Sequence, residues 1–117
     1  MKKLLALSLL CALSAAAADI SGKWSFQVET DAGTGSPKFE FKQTGEDLTG
    51  SYSGALGEAK LKGTVKGDKV DFEFTVDVGG QTGKVVYAGT VDSTGAKMKG
   101  SVELAGLGKG TFTGAKN

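Results

Sequence analysis

The 117-residue chain has no histidine and no arginine, and its one cysteine, Cys11, sits in an apolar stretch near the N-terminus. Nucleophilic triads and ordinary catalytic zinc sites draw on His or Cys. From Asp19 onward neither residue type occurs, so both chemistries are excluded there. No disulfide can form within residues 19–117 either. Small exported domains often lean on such bridges, so this one must hold by packing and sheet hydrogen bonds alone. Proline and tryptophan occur once each, as Pro37 and Trp24.

The opening Met1-Lys2-Lys3 followed by an apolar run from Leu4 to Leu13 has the form of a secretory signal peptide, and the run is too short for a lasting membrane span. Ala15 to Ala18 supply the small residues of a cleavage site, so residues 1–18 are expected to be removed and residues 19–117 to form one domain. Cys11 raises the question of lipidation, but Leu10 is too bulky for the usual lipobox and so early a cut would leave little apolar segment. The expected location is the periplasm or the extracellular space, with no membrane span in the mature chain. Two of the fourteen lysines leave with the signal, so twelve lysines face thirteen acids and the net charge is −1. That balance gives no electrostatic basis for binding nucleic acid.

What the remaining chain does have is alternation. Val70 to Val78 reads apolar, polar, apolar throughout, the signature of a strand with one buried face. Similar runs centre on Phe26, Phe39, Gly50, Leu61, Tyr87, Gly100 and Phe112, which makes eight strands. Glycine-bearing turn signals of about hairpin length separate them and favour an antiparallel meander. The predicted fold is all-β, an eight-stranded antiparallel up-and-down β-barrel, with a β-sandwich carrying glycine bulges as the alternative.

Several glycines fall on the inward face, Gly50, Gly63, Gly89 and Gly100 among them. A strand glycine packs nothing, so the repeated use points to curvature tight enough to close a small barrel. The segment Thr44 to Ser51 is echoed by Thr94 to Ser101 at an offset of 50 residues, as though the chain were two four-stranded halves.

In a meander, successive hairpin loops alternate between the two ends. Loops at 31–37, 54–57, 79–83 and 105–108 therefore share one end, and they read as the longer, more glycine-rich set. Two carry an unexplained leucine, Leu56 and Leu107, placed either as lids over the core or as contacts for a ligand. This end is read as open, and the end with the first strand and Trp24 as closed.

All nine aromatic residues point inward by parity, and Tyr52 and Tyr87 are the inward groups bearing hydroxyls. Tyr52, Leu56, Tyr87 and Leu107 are the candidate ligand-binding residues, and Trp24, Gly50 and Gly100 the structural ones. The carboxylates Asp71, Glu73 and Asp77 share the opposite, solvated face, so they read as soluble wall rather than acid–base catalysts. Glu29 and Asp31 are the one hint of a calcium site, without EF-hand spacing, and no metal or other cofactor is expected.

The opening Ile20-Ser21-Gly22-Lys23-Trp24 resembles the glycine-any-tryptophan signature of lipocalins and the start of avidins, up-and-down barrels grouped as calycins. Leu48-Thr49-Gly50-Ser51-Tyr52 is similar to an avidin strand whose tyrosine, matched by Tyr52, helps hold biotin. Avidin pockets hold several tryptophans and lipocalins set a basic residue, often arginine, beside theirs. This chain has Trp24 alone and no arginine, so the resemblance implies the barrel and not the biotin site, with a lysine able to deputise. The chain also looks like small exported bacterial barrels of unassigned role. The expected function is a non-catalytic binding or interaction module acting through the open-end loops. The alternative is a carrier of a small apolar molecule inside the barrel. The partner is thus an unidentified protein or a small apolar molecule.

Overall fold

A computed structural model of the chain describes residues 19–31, 33–104 and 108–117, and the expected signal peptide, with Cys11, lies outside these. The strands are β1 (Gly22–Thr30), β2 (Gly33–Gly35), β3 (Lys38–Thr44), β4 (Asp47–Gly54), β5 (Gly57–Lys66), β6 (Lys69–Val78), β7 (Gln81–Val91), β8 (Lys97–Leu104) and β9 (Gly108–Lys116). All except β2 form a closed antiparallel barrel in chain order. Closure runs along β1 and β9 from Trp24 opposite Lys116 to Thr30 opposite Gly110. That ladder removes the sandwich alternative.

Two loop assignments need correction. The expected 31–37 loop contains a strand: β2 folds onto the far half of β1, with Val28 opposite Gly35, while β3 covers the near half, with Trp24 opposite Phe39. In effect β2 and β3 are one strand broken at Ser36-Pro37. Proline has no N–H for the ladder, yet its carbonyl still accepts from the Phe26 N–H at 3.0 Å. The open-end loops are also not the longer ones. Gly54 pairs with Gly57 and Val78 with Gln81, leaving two-residue turns at Ala55-Leu56 and Gly79-Gly80. Both Gly79 (φ 60°) and Gly80 (φ 86°) take the left-handed conformation that a tight hairpin turn requires. The longest described connection, residues 92–96, is at the closed end.

Every one of the nine aromatic side chains is buried, from Trp24 and Phe26 at 0 % exposure to Tyr52 at 5 %. The inward glycines explain how so many rings fit. Gly50 stands across from Phe41, Gly63 from Phe72, Gly100 from Phe112 and Gly114 from Phe26. At Gly50 and Gly100 an added Cβ would run into the backbone carbonyl of Glu40 or Ala88 on the adjacent strand. The missing side chains let neighbouring strands coil close together and leave the volume to rings. The echoed segments open β4 and β8, four strands apart around the barrel.

The closed end is plugged from the N-terminal side. Ile20 is fully buried, its carbonyl accepts from Trp24 Nε1 at 2.8 Å and its N–H donates to Gln43 Oε1 at 2.9 Å. Lys116 Nζ lies 6.0 Å from the Trp24 ring centroid, in cation–π range. The outer wall carries the charged residues. There Thr64 donates to Asp71 at 3.0 Å, Thr82 to Asp77 at 3.1 Å, and Lys84 pairs with Glu73 at 3.4 Å.

Candidate functional site

At the opposite end the packing gives out. The β5–β6 ladder stops at Lys62 opposite Glu73. Beyond it β5 pairs with β4 alone and β6 with β7 alone, so the two hairpins separate towards the mouth. Side chains complete the wall there, chiefly Tyr52 stacked on Phe74 with centroids 4.4 Å apart.

The mouth so formed is a cavity of about 210 Å³, lined by Val28, Tyr52, Leu56, Phe74, Val85, Tyr87 and Leu104, with the β2–Pro37 segment along one side. Among the described residues its lining contains no charged one. Three of the four candidate binding residues therefore meet at one site. The fourth, Leu107, lies outside the described residues.

Each of the three has a distinct setting. The Tyr52 hydroxyl accepts a hydrogen bond from the Leu56 N–H at 3.3 Å, which ties the Ala55-Leu56 turn down over the mouth. Leu56 is half-buried and packs against the core, so it is at once lid and lining. Tyr87 lies deeper, with its ring stacked on Phe72 at 4.9 Å, and is 3 % exposed. Desolvation, and secondarily the neighbouring Tyr52, push the Tyr87 hydroxyl pKa well above the usual phenol value, so it keeps its proton throughout the physiological range.

Sequence parity placed Val28, Phe74, Val85 and Leu104 on the inner face without marking them as site residues. Parity gives the face; height within the barrel depends on strand register. Elsewhere the surface offers depressions on the outer wall. One of about 500 Å³ lies among Asp47, Thr49, Lys62, Asp71 and Glu73, and another of about 330 Å³ at the closed end runs among Asp68, Thr90, Asp92, Lys97 and Lys99 and reaches the buried Val91 and Met98. No group of three or more potential metal ligands gathers among the described residues. Nor is any helix among them long and apolar enough to cross a membrane.

No model of a known protein family matches the chain, and no curated protein matches it. The closed eight-stranded barrel is compatible with a calycin-like architecture.

Proposed function

We propose that this is an exported, non-catalytic binding module whose working surface is the open end of the barrel, where the mouth cavity receives a compact apolar group. The observation that carries this reading is the contrast between the two ends. One is plugged by Ile20 and Trp24, while the other keeps an uncharged cavity bounded by Tyr52, Leu56 and Tyr87. A carrier with its cargo deep in the barrel is disfavoured, because nine buried rings occupy that space. Size points the same way. Pockets for drug-sized ligands run from about 300 Å³ upward, whereas an apolar cavity of about 150 Å³ accepts a benzene ring. The mouth suits one substituted ring or a single side chain. Kinship with calycins belongs to the same proposal, and its support is Lys116 over Trp24, in the place where lipocalins set a basic residue.

The test uses toluene as a ring-sized apolar probe, followed by methyl chemical-shift changes. Leu56→Asn should weaken its binding several-fold with little loss of core. Replacing Asp71, Glu73 and Asp77 by Ser should leave it unchanged. The reverse pattern would move the site to the outer wall.

A further inference from the structure

The chemistry of the mouth can be specified further, on the basis of the binding reading just given. The side chains of the cavity wall are apolar except for hydroxyls, and of its two phenols only Tyr52 has a hydrogen bond among the described residues, the one it accepts from Leu56. The Tyr87 hydroxyl has no hydrogen-bond partner among the described residues, although the residue is 3 % exposed and lines the cavity. A buried phenol without a partner is costly, and native cores rarely keep one without a use. Phenylalanine would fill the same ring position, against Phe72, Phe112 and Phe39, at no polar penalty. The hydroxyl thus supplies nothing to the packing that the bare ring would lack.

We propose that the mouth of the barrel binds a compact, neutral, ring-sized molecule bearing a carbonyl oxygen, which accepts a hydrogen bond from the Tyr87 hydroxyl.

Each part of that description has its own warrant. The ligand is compact because about 210 Å³ holds one substituted ring. It is neutral because no lysine reaches the lining to balance a buried carboxylate, and an unpaired buried charge is far more expensive than a dipole. It is an acceptor because a phenol donates better than it accepts, and burial keeps Tyr87 protonated. The stacked Tyr52–Phe74 pair and Val28, Val85 and Leu104 provide the apolar faces for the ring. Ketones, lactones and cyclic amides of six to ten heavy atoms meet these conditions, on the scale of ring-sized cavities.

The experiment compares acetophenone with ethylbenzene, which share a ring and a two-carbon arm and differ in the carbonyl. Affinities are measured by NMR titration of the folded protein, its Tyr87→Phe variant and its Tyr52→Phe variant. Tyr87→Phe should weaken acetophenone about tenfold and ethylbenzene less than twofold, the loss expected for one buried hydrogen bond. Tyr52→Phe should weaken both probes equally. The melting temperature of Tyr87→Phe should hold or rise, since an unpaired hydroxyl has been removed. If both probes bind and Tyr87→Phe affects them alike, or if Tyr52→Phe alone abolishes the carbonyl preference, the assignment to Tyr87 is overturned while the mouth remains the site. If neither probe shifts the mouth methyls, the binding reading itself fails, and this inference with it.

Discussion

Gly63→Ala isolates the way the barrel is closed. Replacing a strand glycine by alanine ordinarily stabilises, by about 0.4–1 kcal/mol, because the unfolded chain loses freedom. At Gly63 the backbone dihedral is one that alanine tolerates, so conformational strain does not enter. The added Cβ, however, would meet the Asp71 carbonyl oxygen, with Phe72 Cα at 2.6 Å and Phe72 Cβ at 2.7 Å. These are atoms of a paired strand, and no rotamer change moves them away. The relief must come from shifting β5 against β6, which disturbs the stack of Phe72 on Tyr87 as well. Overpacking of this kind costs about 1–3 kcal/mol. For a domain of this size, 2 kcal/mol corresponds to a drop in Tm of roughly 8–16 °C. Gly35→Ala is the matched control. It lies in β2, has open space around the Cβ position and a φ outside the left-handed region, so it should be neutral or slightly stabilising. Thermal melts of the two variants suffice. A Gly63→Ala protein as stable as its Gly35→Ala counterpart would refute the view that inward glycines exist for close strand approach.

Trp24→Ala should cost about 3–5 kcal/mol in chemical denaturation, since it empties the fully buried plug and orphans the Ile20 carbonyl. For a domain with no disulfide within residues 19–117 this is a large part of the margin. Asp92 organises the 92–96 turn by accepting from the Thr94 hydroxyl at 2.7 Å and from the Ala96 and Lys97 N–H groups, and the Thr94 bond is the main reason its carboxyl titrates below the ordinary aspartate range. With the folded pKa depressed, its stabilising contribution is present above the ordinary aspartate value and is lost as pH falls through the lower folded value. Asp92→Asn should therefore flatten the acid limb of stability against pH below about pH 5, a change that urea titrations at several pH values would register. An unchanged acid limb would show that the turn does not couple to folding.

Alternation made the barrel legible. Each aromatic residue that parity placed inward is buried, and the inward glycines that pointed to a closed barrel sit in one that closes between β1 and β9. The elements that escaped are those in which parity has no purchase. Gly33-Thr34-Gly35 carries no apolar residue to alternate, so β2 reads as loop until Val28 and Thr30 are seen pairing with it. Ile20 precedes the first alternating run and gives no sign that it folds back over Trp24. Glycines at hairpin tips read as loop, yet Gly54 and Gly57 pair across the turn and shorten it. The opposition of Gly100 to Phe112, or of Gly63 to Phe72, depends on register, which is fixed by turn length and closure together. Of the mouth, Tyr52, Leu56 and Tyr87 stood out chemically because hydroxyls and a loop leucine are anomalies. Val28, Phe74, Val85 and Leu104 are ordinary core residues by type, and only their height in the barrel makes them lining.

Methyl resonances recorded under xenon pressure test most directly whether the barrel is filled everywhere except at its mouth. Xenon enters apolar cavities without needing hydrogen bonds, so the result does not depend on knowing the ligand. Shifts should be confined to the methyl groups of Val28, Leu56, Val85 and Leu104 around the mouth. Comparable shifts at the buried Ile20, Val65 and Val70 near the closed end, or none at the mouth, would contradict the account.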